Sequence, residues 1–423
     1  MNLQTKLVLL ITAATMSVTA CGSSTPATGG TTAQGTSGTG AGGDGTSSTS
    51  DASSASGTGG SGGGTFAAAH EPFPQVPNRG GAILPHAQVV TVTFANDARA
   101  PTFESFAKWI VGSKWLTTVG AEYGIGAGAV AGVAHRPETP PAKLTSDDIE
   151  TYLANGVADK SIPSPAAPAT LADALYLVYY PATTAITTTF VNGIIKHSCT
   201  DFVAYHGEVH HAGLDFSYAV VPDCAAVLPS LSALESFEVF ASHEFIEAVT
   251  DALPITKPAW QLVPDPESAW FTSFQFEVET GDLCEYQNSY AHEAGFAAQR
   301  SWSNLAAAAG GDPCLPVEPP VPYFNTTATP DAVVHAKPGT TVDYTLKGWS
   351  TAPVSSWSLG LSKSGTLSVT TKFSGTKLNN GQTATLHVTI PADAVAGTSA
   401  TLVLSSQHTN ADANFWFMNI AVP

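Results

Sequence analysis

Basic residues are scarce. The 423-residue chain has 16 Lys and Arg against 34 Asp and Glu, a formal net charge of −18. A nucleic-acid binder carries a basic stripe. This balance therefore excludes DNA, RNA and a polybasic grip on anionic lipid. Long apolar runs are also lacking, and nothing beyond the first twenty residues reads as a membrane-spanning helix. The Gly-rich strings do not form working fingerprints. Gly59-Gly60-Ser61-Gly62-Gly63 has the letters of GxSxG, but no strand precedes it and no helix follows. Gly124-Ile125-Gly126-Ala127-Gly128 follows a helical pattern, where a dinucleotide fingerprint needs a strand. Cysteine is sparse as well, with five in all.

What is abundant is Gly and Pro, 38 and 29, more than an ordinary core needs, so part of the chain is linker. The length predicts two or three domains. Met1 to Ala20 reads as a signal peptide, with Lys6 in the basic n-region and Leu7 to Ile11 opening the apolar stretch. It ends at Val18-Thr19-Ala20-Cys21, which resembles a bacterial lipobox and makes Cys21 the expected lipidation site. Gly22 follows the Cys rather than Asp, so the outer membrane or cell surface is the expected address. Residues 21–65 are mostly Gly, Ser, Thr and Ala and are read as a flexible tether.

With Cys21 set aside, Cys199, Cys224, Cys284 and Cys314 remain. In an oxidising compartment they suggest two disulfides among three possible pairings. We favour 199–224 and 284–314, since each closes a compact segment.

Residues 80–315 carry an α/β pattern. Gln88 to Phe94 and Ala174 to Tyr180 read as buried strands, Phe103 to Tyr123 as one amphipathic helix, and Thr145 or Ser146 as the cap of another. Phe202 to His211 and Phe216 to Val221 look like a strand pair. A Pro-rich hinge, 316–322, leads to residues 323–423, whose short alternating runs predict an all-β, immunoglobulin-like sandwich. Asn379-Asn380-Gly381 is a hairpin signal within it. This module has no Cys and no cluster of titratable groups, which suits a spacer or a polymer-binding accessory.

The chemistry concentrates in Leu231 to Leu253. Ser232 and Glu235 form a capping box, and Pro254 marks the stop. Inside lies His243-Glu244-Phe245-Ile246-Glu247. Residues four apart share a helix face, so His243 and Glu247 can offer a nitrogen and a carboxylate to one ion, with Asp251 continuing the stripe. This is the spacing of the zinc-peptidase motif HExxH with Glu in place of the second His. In that layout Glu244 is the general base. Glu279 is the leading third ligand, with Asp282 on the far nitrogen of His243. His206 is the rival, on a strand with Glu208 and His210 at period two, beside which a zincin would bind substrate. The same letters also suit a solvated acidic helix face with no metal.

Taken together, these marks resemble the EXORDIUM-like, or phosphate-induced protein 1, family and its bacterial relatives over residues 85–315. They are Cys199 followed by Tyr205-His206, then Cys224, His243-Glu244-x-x-Glu247, Glu279-x-x-Asp282-x-Cys284, and Gln299 to Asn304 before Cys314. The resemblance implies an exported zincin-like α/β domain and hands over no reaction. The lipobox tether and the C-terminal β-module depart from it, and the chain lacks the Gly-rich run that plant members carry after the motif Cys. The expectation is thus a surface-anchored, zinc-dependent hydrolase acting on peptide or envelope polymer. The alternative is a non-catalytic surface lipoprotein.

Overall fold

The computed structural model describes residues 66–423 apart from 96, 190–194, 212, 229, 275–277, 288 and 409–412. The signal peptide, Cys21, the tether and the Gly59–Gly63 string lie outside the described residues. The fold is mixed α and β, with strands predominating and several sheets.

The first half is built on a five-stranded sheet. Its order is Ala129–Arg136, Gln88–Phe94, Ala174–Tyr180, Leu214–Pro222, Tyr205–His211. The first four strands are parallel, and Tyr205–His211 pairs antiparallel at the edge. Strands covered on both faces need continuous apolar runs. Ala174–Tyr180 has one, and all of its residues are buried. One face, through Val89, Leu177, Tyr179 and Val221, packs on the helices Ala100–Ile110, Lys114–Gly120 and Ala233–Thr250. The other, through Val90, Tyr176, Val178 and Val220, packs on Ser146–Ala158.

The single helix expected over 103–123 is three pieces, because the chain stops at Gly112 and restarts at Ser113. The Ser113 hydroxyl accepts the Leu116 N–H and caps the second piece, Lys114–Gly120, and a 3₁₀ turn, Ala121–Tyr123, ends the run. Thr145 caps Ser146–Ala158 with a full capping box to Asp148. Cys199 is bonded to Cys224 and Cys284 to Cys314, the favoured pairing. Such bonds fit an oxidising, exported setting. No helix among the described residues is long and apolar enough to cross a membrane.

Residues 324–421 form two mostly antiparallel sheets of four and five strands over one apolar core that includes Tyr344, Leu386, Leu402 and Met418. Asn379-Asn380-Gly381 does make a turn, with Gly381 at φ 81 and Gln382 N–H bonded to the Asn379 carbonyl. It joins Lys377–Leu378 to Thr383–Thr389, which belong to different sheets, so it crosses between layers instead of closing a hairpin.

The core of these sheets does not stop at the Pro-rich 316–322 segment. Trp270 packs on Trp416 and Phe417 at 5.3 and 4.8 Å, and Phe73 sits among Trp302, Trp349 and Trp416. An extended segment runs along this seam. Ala68 N–H donates to Asn380, the His70 ring stacks on Trp349 at 3.7 Å, and Val76 exchanges two hydrogen bonds with Asn304. Residues on both sides of the Pro-rich segment, Phe73, Trp270 and Trp302 before it and Trp349 and Trp416 after it, therefore share one aromatic core.

Candidate metal centre

The central helix, Ala233–Thr250, begins where its capping box dictates. Ser232 accepts the Glu235 N–H, and the Glu235 carboxylate accepts the Ser232 N–H at 2.7 Å. From Ser236 to Thr250 every residue is buried. A helix covered all round has no solvated face, which removes the acidic-surface reading of His243 to Glu247. The sheet covers one side. The other is covered by Phe296–Gln299, which docks through hydrogen bonds: Glu238 accepts the Ala297 N–H and Ser242 accepts the Gln299 N–H, each at 2.8 Å.

Two imidazoles and four carboxylates converge on the helix. His243 Nε2 lies 3.2 Å from Glu247 Oε2 and 3.7 Å from Asp282 Oδ1. His206, on the edge strand, points its Nδ1 at Glu244 Oε2 (3.5 Å) and Glu247 Oε2 (3.6 Å). Its Nε2 faces Glu279 Oε2 at 3.4 Å. The ligand-type atoms form two triads, His206–Glu244–Glu247 and His243–Glu247–Asp282, joined through Glu247. All six residues are at most 3% exposed.

Both ring nitrogens of His206, Nε2 of His243, Oε2 of Glu247 and both oxygens of Glu244 and Glu279 are buried without a hydrogen-bond partner. Such groups are costly when left unmade. Among the described residues no Lys or Arg forms an ion pair with these carboxylates. The local pKa values register the same demand for positive charge. Burial works to lower both imidazoles. The carboxylates outweigh it: Glu247, Glu244 and Asp282 lift His243 well above its ordinary range, and Glu244 and Glu247 bring His206 up to about 9. Burial drives Glu279 and Asp282 upward, reinforced for Glu279 by Asp251 and for Asp282 by Glu247. Glu247 goes the other way: burial opposes, but the two imidazoles hold it below the usual carboxylate value.

A divalent cation fits this donor set. Zinc binds His nitrogen and carboxylate oxygen at about 2.0–2.2 Å in a tetrahedron, whose edges are then about 3.3–3.6 Å. The imidazole-to-carboxylate separations, 3.5 and 3.6 Å in the His206 triad and 3.2 and 3.7 Å in the His243 triad, lie close to those edges. These buried His and Glu groups can hold a metal ion.

Gln299 decides how His243 presents itself. The Gln299 Nε2 donates to the Gly281 carbonyl at 2.7 Å, which fixes the amide so that its Oε1 accepts from His243 Nδ1 at 2.9 Å. Nδ1 therefore carries a proton, and Nε2 is the nitrogen turned toward the carboxylates and left for an ion to take. Gly281 is small for the same reason, since a Cβ there would meet Glu247 Oε1 at 2.7 Å and His243 Cε1 at 3.1 Å. The Glu279–Cys284 segment is pinned by the Cys284–Cys314 bond and by the Trp302 N–H bonded to the Thr280 carbonyl.

The sequence expectations fare unevenly. His243 and Glu247 do converge. Asp282, expected on the far nitrogen of His243, is instead on the Nε2 side, and Gln299 takes the far nitrogen. Glu279 faces His206, not His243. His206, read as the rival to Glu279, sits inside the cluster beside it. Asp251 closes the helix end instead, accepting from the Ala259 N–H and Gln261 Nε2 at 2.8 Å each. His210 leaves the cluster altogether, held between Glu208 and Asp215. Sequence reasoning missed Gln299 and Gly281; being uncharged, neither offers a metal-ligand signal.

No protein-family model matches this chain, and no curated protein matches it. Among solved structures, a nucleoside hydrolase-related hypothetical protein from Saccharophagus degradans, associated with carbohydrate metabolism, is 19% identical with a TM-score of 0.18. That match covers 24% of this chain and 26% of the other, so the chain spans about a quarter of that protein's length. WR4, a C. elegans MSP family member, is 6% identical over 24% of this chain and 97% of its own, with a TM-score of 0.16.

Proposed function

We propose that this protein is an exported, lipid-tethered metalloprotein whose buried centre binds zinc and supports hydrolysis, with peptide bonds as the substrate class. The observation that carries the reading is the set of buried His and Glu atoms without partners around His243 and Glu247. His243, Glu247 and Asp282 hold the ion, and Gln299 orients His243. Bound zinc supplies Lewis-acid polarisation and a more acidic water. Glu244, the residue after the first ligand, accepts the proton of the attacking water, and His206 beside it balances its charge. Burial raises the Glu244 carboxyl above its ordinary value, in the direction a general base at neutral pH requires.

The peptide assignment rests on the edge strand. Tyr205–His211 pairs on one side only within its sheet and carries His206 into the cluster. An edge strand accepts an extended peptide by backbone hydrogen bonds; here Tyr205 to Val209 are buried, and His210 and His211 form the end that solvent reaches. A zincin-like label for residues 80–315, an immunoglobulin-like label for 323–423, and kinship with the EXORDIUM-like proteins belong to the same proposal. So does an outer-membrane or cell-surface address through lipidated Cys21.

The test is Glu244→Gln assayed with zinc content and melting temperature measured alongside. The reading expects zinc retained, the fold intact, and cleavage of unstructured protein substrate reduced by about two orders of magnitude or more. Equal cleavage by both proteins refutes the role of Glu244. One observation favours a second reading: every proposed ligand is buried, which suits a structural ion. In that case chelation lowers the melting temperature and no broad substrate panel is hydrolysed by the wild type.

A further inference from the structure

A second site lies on the opposite face of the central sheet. From Gln88–Phe94 the chain passes to Ala129–Arg136 on one side, through helices on one face. It then crosses back over the other face, through Ser146–Ala158, to Ala174–Tyr180 on the other side. The connections leaving the carboxyl ends of Gln88–Phe94 and Ala129–Arg136 thus take opposite faces of the sheet. In open parallel sheets that divergence leaves a crevice at the carboxyl ends of the strands, and ligands bind there. A crevice of about 410 Å³ is found at this place. Phe94 and Tyr180, the last residues of the two strands, line it with rings stacked at 4.8 Å.

The remaining wall is organised as well. Tyr152 is held rigid: its hydroxyl donates to Glu138 at 2.6 Å and accepts from Arg136 Nε at 2.7 Å. Thr151 and Asn155 lie beside it on the same helix, and Lys143 faces them across the crevice. Their side chains make no hydrogen bond or ion pair with the described residues, and all three are exposed. Nothing in the proposed metal chemistry uses any of these groups.

We propose that this crevice binds a neutral carbohydrate of one or two pyranose rings. Half-buried Tyr152 and exposed Pro141, backed by the buried Phe94–Tyr180 stack, offer an apolar surface to the C–H face of a sugar. The unsatisfied hydroxyl, amide and amine offer hydrogen bonds to its ring hydroxyls. Glu138 is paired with Arg136 and Asp148 is spent in its helix cap, so Lys143 stands without the clustered cations that a phosphate site needs. The volume falls within the usual range for small-ligand sites, about 300–1,000 Å³.

The test is calorimetric titration of the purified full chain with cellobiose, maltose and N,N′-diacetylchitobiose, and with a neutral tripeptide for comparison. At least one disaccharide is expected to bind saturably. Thr151→Trp, at an exposed position, fills the crevice and abolishes that binding. Asn155→Ala removes one hydrogen bond and weakens it by about fivefold. The proposal is overturned if no disaccharide binds, if only the tripeptide does, or if both variants bind sugar as the wild type does.

Discussion

Gln299→Met is the most informative single change at the metal centre. Methionine matches the length and volume of glutamine but can neither accept from His243 Nδ1 nor donate to the Gly281 carbonyl. Two buried polar groups then lose their partners, at about 1–3 kcal/mol each. The apo protein should therefore lose about 2–6 kcal/mol of stability. The larger consequence is for the ligand set. Without the amide oxygen the imidazole is free to rotate or to protonate on Nε2. Losing a partner of this kind usually costs about 10–100-fold in metal affinity, or about 1.4–2.7 kcal/mol of binding. The assay is a competition titration of zinc against a chromophoric chelator, with a melt in excess chelator to separate the apo-stability loss. If Gln299→Met binds zinc within about twofold of wild type, His243 does not depend on this amide, and the ligand assignment around it is wrong.

Other perturbations probe other parts. Gly281→Ala places a Cβ 2.7 Å from Glu247 Oε1. It should destabilise the fold by about 1–3 kcal/mol, and it should weaken zinc binding in the same competition assay. Replacing Cys284 and Cys314 together by Ala opens a loop with a sequence separation of 30. About 3–4 kcal/mol of unfolding free energy should be lost in denaturant titrations. Asp97 gives a pH test away from the metal. Burial works to raise its pKa, but the hydrogen bonds and charge of Arg99 prevail and hold it below its ordinary 3.8. A depressed carboxylate stabilises above its unfolded pKa, and the contribution disappears as pH falls through the folded value. Asp97→Asn should thus melt below wild type at neutral pH, by about 1 kcal/mol for a half-buried pair at the surface. The two curves should merge in acid, below the ordinary aspartate range.

Much of the frame was legible because local chemistry and tertiary outcome agree. Gln88–Phe94 and Ala174–Tyr180 occupy the spans their apolar runs define, and the helix of the site starts at its capping box. The i, i+4 spacing brought His243 and Glu247 together. What stayed hidden is tertiary in origin. The interruption after Ile110 is a capping event at Ser113 inside an otherwise continuous apolar stripe. Asp282 and Glu279 were singled out by charge, and both carboxylates lie beside an imidazole of the cluster. Which imidazole each one faces depends on how the edge strand lies over the helix, and no local pattern encodes that. Gln299 is a neutral amide in a small strand, and its role exists only once Gly281 fixes its orientation. The seam between the layers was invisible because His70 and Phe73 sit in a segment without periodicity, and their partners lie hundreds of residues away.

The central claim is that the buried cluster around His243 and Glu247 holds a divalent cation. Elemental analysis of the purified, exported chain tests it most directly, set beside a His243→Ala and Glu247→Gln double variant confirmed to be folded. Stoichiometric zinc is expected in the wild type and its loss in the double variant. A wild type that emerges metal-free, and whose melting temperature does not move when zinc is supplied in excess, would contradict it.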